Sequence, residues 1–178
     1  MLTKRQYKSA QLKAGAMIKK SGILITKDEI SKIIVHDWGL ENFNEEGLMI
    51  STLFATDRIS ARVLVLFPNQ TEPEHWHPVL PDNPGKEEII RAIWGDLRFY
   101  LPGDNNMKEG FVPASNQQYY TLRNEITMKP GDQLILTPGT KHWFQAGTQG
   151  AVFYSYATCV SDGTDLFENP VIKRILKK

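Results

Sequence analysis

Apolar residues recur at helical spacing only near the start of this chain. Tyr7, Ala10, Ala14, Met17 and Ile18 share one face of a helix predicted over residues 4 to 20. Ser21-Gly22 supplies its stop. Thr26, answered three positions later by Glu29, has the form of a capping box and predicts a short second helix ending near Ile33 or Ile34. From Gly47 the pattern changes. Leu48–Thr56, Ala61–Phe67, Ile89–Trp94, Leu97–Leu101, Tyr119–Leu122, Gln133–Leu136 and Ala151–Val160 are short runs rich in β-branched and aromatic residues. Turn clusters separate them, among them Pro81-Asp82-Asn83-Pro84-Gly85, Pro102-Gly103-Asp104 and Pro130-Gly131-Asp132. Closely spaced strands with few helices between them predict an antiparallel sandwich or barrel.

Composition narrows the class without naming a chemistry. The chain has 178 residues, enough for one domain with a sizeable core. Its apolar and charged fractions, 41% and 23%, are those of an ordinary globular protein. A net charge of +1 gives no electrostatic reason to expect nucleic acid or an anionic membrane as partner. Cys159 is the lone cysteine, so no internal disulfide can form, which fits a reducing cytoplasm; a buried, inert thiol is expected there. The N-terminus lacks the apolar core of a signal peptide, and no stretch reaches membrane-spanning length.

Candidate chemistry concentrates in one place. Three of the four histidines belong to a single constellation: His75 and His77 in Glu74-His75-Trp76-His77, then Glu88 eleven residues after His77, then His142. Two residues apart on an extended strand, His75 and His77 turn their imidazoles to the same face. A third imidazole and a carboxylate brought in by folding complete a shell for Mn, Fe, Co, Ni or Zn, with positions left open for water or substrate. His36 has no partner histidine nearby and reads as structural.

The segment Pro68-Asn69-Gln70-Thr71-Glu72-Pro73-Glu74-His75-Trp76-His77, with Glu88 and then Gly95, resembles the first motif of the cupin superfamily. Pro130-Gly131-Asp132 with Thr137-Pro138-Gly139-Thr140-Lys141-His142 resembles the second. Asn69 stands where the first motif usually has glycine, Thr137 replaces a usual proline and Ala146 a usual asparagine. The insert between His77 and Glu88 is longer than in the common pattern. That insert, the chain length with its N-terminal helix, and the tail Asp165-Leu166-Phe167-Glu168-Asn169-Pro170 are similar to the D-lyxose isomerase branch of the cupins. The resemblance implies a jelly-roll barrel over about 47–160, N-terminal helices within about 1–40, and a tail over 161–178 with a short C-terminal helix. It implies His75, His77, Glu88 and His142 as metal ligands and Mn2+ as the usual metal. Choosing Glu88 over Glu87 rests on the gap to Gly95, and alternation then turns Glu87 outward.

The activity so implied is interconversion of D-lyxose with D-xylulose, and often of D-mannose with D-fructose, through a metal-stabilised enediolate. Three residues are candidates for the acid–base role. Glu168 is one because the family resemblance puts an acid over the barrel mouth; a helix-start carboxylate before Asn169-Pro170 is the equal alternative. Lys86, two before Glu88, shares its strand face, though it could equally be a solvated charge. Arg62 shares a face with Leu64 and Leu66, and a guanidinium on an inward apolar face would need a paired oxygen; the other reading is that this face turns outward at its end. Alternation turns Trp76, Trp143 and Glu74 away from the metal, and Asp162 and Asp165 are read as solvated loop residues that could reach sugar hydroxyls. No phosphate cradle stands out, so an unphosphorylated pentose or hexose is the expected substrate. The competing functions are an Fe(II) cupin oxygenase and a non-enzymatic sugar-binding cupin. A homodimer is expected from the resemblance, with Ala151–Val160 as a pairing edge strand.

Overall fold

The computed structural model describes residues 1–158 and 162–172. Cys159, Val160, the side chain of Asp162 and residues 173–178 of the expected final helix lie outside the described residues; Pro170 and Val171 form a turn. The chain folds into one curled nine-stranded sheet with two helices against its outer face, the cupin-type jelly roll expected from the motifs.

The first helix, α1 (Lys4–Lys20), begins at Thr3, whose hydroxyl accepts from the backbone of Gln6 while the Gln6 side chain returns to the Thr3 amide. It ends at Ser21, with Gly22 following at φ 90°. The second, α2 (Lys27–Lys32), opens with the expected Thr26–Glu29 capping box. Ala10, Ala14, Met17 and Ile18 of α1 pack with Ile30 and Ile33 against the sheet.

The strands are β1 (Ile34–His36), β2 (Leu48–Ala55), β3 (Ile59–Leu66), β4 (Thr71–Trp76), β5 (Glu88–Leu101), β6 (Asn124–Met128), β7 (Gln133–Leu136), β8 (His142–Thr158) and β9 (Leu166–Phe167). They run in the order β1-β2-β3-β8-β4-β9, and β5 joins β8 while also pairing with β6 and β7. Alternation divides them cleanly. Met49, Val63, Val65 and Val152 face the helices. Leu48, Ile50, Leu64, Leu66, Ile90, Phe144 and Phe153 face the barrel interior.

Three expectations need correction. Ile89–Trp94 and Leu97–Leu101 are one strand, bent where the β5–β8 register slips around Trp94 and Gly95. Gly95 sits at φ 80°, and a Cβ there would stand 2.0 Å from the carbonyl oxygen of Gly150. Only glycine lets the two long strands cross so closely. Tyr119–Leu122 is not a strand. A 3-10 helix (Ala114–Tyr119) precedes it, and the Tyr120 hydroxyl is drawn inward by the buried Glu46 carboxylate at 2.7 Å. Finally, β8 is no edge. It is hydrogen-bonded to β3, β4 and β5, and Phe153 is fully buried. A row of apolar residues lies instead on the sheet's outer face, where the pairings Ile89–Ile135, Ile89–Tyr156 and Ala61–Tyr156 sit beside Phe54 and Ile59, with Phe54, Ile59, Ile135 and Tyr156 exposed. No described helix is long and apolar enough to cross a membrane.

Candidate metal centre

Two paired strands bring the histidines together. His75 on β4 pairs with His142 on β8, and His77 follows just past the end of β4. Their ligand nitrogens all lie within 4.8 Å of one another, and all three residues are buried. Each ring is fixed through Nδ1. His75 donates to the Pro73 carbonyl at 2.8 Å, His142 to the Thr140 carbonyl at 2.9 Å and His77 to Asp165 Oδ1 at 2.7 Å. Carbonyl and carboxylate oxygens only accept, so Nδ1 carries the proton in each ring and Nε2 keeps its lone pair. Nε2 of His142 is buried with no hydrogen-bond partner. A buried nitrogen without a partner, inside a trio whose lone pairs converge, is the arrangement that a divalent ion satisfies.

Glu88, at the start of β5, faces the same cavity. Its Oε2 stands 3.1 Å from His77 Nε2 and 3.2 Å from Lys86 Nζ, and its Oε1 accepts from the Ser155 hydroxyl. Glu87 is exposed, on the other side of the strand. The cavity has a volume of about 20 Å³, room for an ion or a water and less than a sugar needs. A larger cleft of about 470 Å³ lies beside α1, but no histidine or cysteine lines it.

Burial sets the charge states. It pushes His142 down to about 3, with His77 adding to the effect. It also pushes His75 well below the usual imidazole value, with His142 and His77 contributing, and lowers His77. All three are neutral ligands at pH 7. Burial alone would raise Glu88, yet the Lys86 ammonium and the hydrogen bond from the Ser155 hydroxyl outweigh it and hold the carboxyl well below its usual range. The cavity thus offers three neutral nitrogens and one anionic oxygen, a donor set suited to a divalent transition metal.

Of the acid–base candidates, Arg62 and Lys86 line the cavity; Arg62 is 7% exposed and faces inward with Leu64. Glu168 is not brought to the histidines. Phe167 pairs with His75, so its neighbour Glu168 turns to the opposite face of the sheet, where Oε2 accepts from Lys141 Nζ at 2.7 Å. Trp143 is fully buried and stacks on Tyr100 at 3.5 Å, and Trp76 lies under the Lys141 ammonium at 5.0 Å. Glu74 is capped by Thr121 and the amide of Leu122 rather than by a close ion pair. His36 stacks on Trp38 at 4.8 Å.

Two residues escaped the sequence pattern. Glu72 pairs with Phe144 and His75 with His142, so two residues on β4, Pro73 and Glu74, oppose one on β8, Trp143. That bulge turns Glu72 to the same face as His75, and its carboxylate sits 3.9 Å from His75 Nε2 with 4% of the residue exposed. Pro73, which cannot donate to a ladder, was the available signal. Asp165 reaches His77 from 88 residues away and carried no local signal.

No family model matches the chain. It is 39% identical over 171 residues to a D-lyxose ketol-isomerase of Cohnella laeviribosi, covering 96% of this chain and 94% of the relative. The chain belongs to the D-lyxose ketol-isomerase family. It is 40% identical over 176 residues to a D-lyxose/D-mannose isomerase of Thermosediminibacter oceani, covering 98% and 97% of the two chains. As a member of this family of sugar isomerases, the chain is an enzyme. Among solved structures, the L-ribose isomerase of Cellulomonas parahominis superposes with a TM-score of 0.76 at 13% identity, over 96% of this chain and 94% of that one, which shows a shared fold.

Proposed function

We propose that this isomerase interconverts D-lyxose and D-xylulose, and also D-mannose and D-fructose, using a divalent metal held by His75, His77, Glu88 and His142. The convergence of three buried Nε2 lone pairs beside the Glu88 carboxylate carries the reading. Relatives named for D-lyxose and D-mannose supply the substrates. Mn2+ is the metal we expect, because the reaction needs no redox change and the shell is one that Mn2+, Co2+, Fe2+, Ni2+ or Zn2+ can enter. When bound, such an ion polarises the sugar oxygens at C1 and C2 and makes the C2 proton easier to remove.

Isomerisation takes a proton from C2 and delivers one to C1, while the O2 hydroxyl proton moves to O1. In our reading Glu72 is the group that accepts and returns the carbon-bound proton, as a buried carboxylate facing the cavity beside His75 Nε2. Lys86 and Arg62 are cations and hold substrate oxygens rather than abstract protons. Glu88 is already held as an anion by Lys86 and Ser155, which suits a ligand better than a base. Two charged side chains are few for a phosphosugar, so the substrate is a free pentose or hexose.

The test is D-xylulose formation from D-lyxose by metal-stripped protein, with and without Mn2+, in anaerobic buffer. Activity restored by Mn2+ and lost in His77→Ala supports the proposal. No turnover of lyxose or mannose, with oxygen consumed once Fe2+ is supplied, would sink it in favour of an oxygenase. We also propose a homodimer, now through the outer-face row of Ile135, Tyr156, Phe54 and Ile59. A monomer mass that stays constant with concentration in light scattering would remove that part.

A further inference from the structure

The three histidines are not held alike. His75 and His142 each donate from Nδ1 to a carbonyl two residues earlier, so strand geometry orients them as soon as the strand forms. His77 donates instead to the Asp165 carboxylate, 88 residues away in sequence. Asp165 belongs to a short strap that includes β9 and crosses the end of β4.

The strap is fastened at several points. Phe167 packs on His75 at 5.4 Å and on Trp38 at 5.1 Å between ring centres. The Glu168 amide donates to the Glu74 carbonyl at 2.9 Å, and Lys141 pairs with the Glu168 carboxylate at 2.7 Å. Asn169 donates to the Asn116 side-chain oxygen at 3.3 Å. Asp165 is thereby delivered into the cavity with its side chain 3% exposed.

We infer that Asp165 is a positioning residue and that the docked strap sets the metal affinity of the site. This rests on the metal-centre reading above. The carboxylate fixes the protonated nitrogen of His77 at Nδ1, aims Nε2 at the cavity, and makes that imidazole a stronger donor than a carbonyl partner would. Two of the histidine ligands are built by the barrel alone, and the third becomes a good ligand only when the strap is down.

The test is Mn2+ binding by titration calorimetry, with Co2+ absorption spectra as a second readout, on wild-type, Asp165→Ala, Asp165→Asn and Lys141→Met proteins. Loss of an outer partner of this kind weakens binding by about 10- to 100-fold in Asp165→Ala. Asp165→Asn, whose amide oxygen can still accept from Nδ1, recovers part of that loss. Lys141→Met loosens the strap from outside the cavity and weakens binding by a smaller factor, with the Co2+ spectrum shifted in the same sense as in Asp165→Ala. The metal-free melting temperature of each variant reports folding separately. An Asp165→Ala affinity within about twofold of wild type, against the loss expected for such partners, overturns the inference and leaves the metal centre standing. A wild-type chain that binds neither ion overturns both.

Discussion

The same strand ends build two ionic clusters on opposite faces of one sheet, and only one is a site. On the inner face, β4 and its continuation present Glu72, His75 and His77, β8 presents His142 and the strap presents Asp165. On the outer face their immediate neighbours Glu74, Trp76, Lys141 and Glu168 form a second group. Residue types are similar; surroundings are not. The inner groups are nearly all buried, whereas Lys141 and Glu168 keep 31% and 30% of their side chains exposed. A partly solvated pair of that kind contributes about 0–1 kcal/mol and positions chain. The enclosed cluster shifts protonation states, leaves lone pairs unsatisfied and can bind an ion.

Moving one carboxylate out of the chemistry on the inner face is the severest way to probe that contrast. Glu72→Gln keeps the shape and removes the proton acceptor, and a lost general base costs about 100-fold or more in kcat. Mn2+ affinity should stay close to wild type. Exchange of solvent deuterium into recovered lyxose should fall in step with kcat. Turnover within threefold of wild type would move the proton transfer to another group, with Glu88 next in line.

A milder probe is acid. Folded His142 sits at about 3, and His75 and His77 are also depressed, so the unfolded chain binds more protons as pH falls below the ordinary imidazole value of about 6.5. Their contribution to stability is therefore complete above that pH and lost as pH falls toward the folded values. Glu88, also depressed, adds a loss of its own below the usual carboxylate range. The melting temperature of metal-free protein should decline steadily from pH 7 to pH 4.5, and less steeply in His142→Gln. A flat profile would mean the three imidazoles charge freely in the folded state, and the inner face would be as wet as the outer.

What could be read from the sequence follows the range of the interactions. Helix caps and the stripe of α1 are local, and Thr26–Glu29 and residues 4 to 20 stand where they were expected. The His75-x-His77 spacing survives because alternation is a property of one strand. Alternation also misled: carried strictly through β4 it sends Glu72 outward with Glu74, and the bulge at Pro73 reverses that. The edge-strand reading of residues 151–158 failed because neighbours across a sheet are set by topology, not by apolar content. Asp165 belongs to the same class of miss, since nothing near it in sequence announces His77.

Glu168 is the finest test of the two faces. The family resemblance made it a candidate acid, and one residue of register separates that role from the one its surroundings suggest. Phe167 faces His75, so Glu168 faces Lys141. Glu168→Gln should therefore lower kcat by less than about threefold and weaken Mn2+ by a few-fold, the scale of an exposed ion pair acting through the strap. Loss of kcat by two orders of magnitude with metal affinity intact would show that the carboxylate reaches the reacting carbons during turnover. The strap would then have to turn over by one residue when sugar binds, carrying Asp165 away from His77. Asp165→Ala would in that case leave kcat nearly untouched, so the two variants read together separate a fixed strap from a moving one.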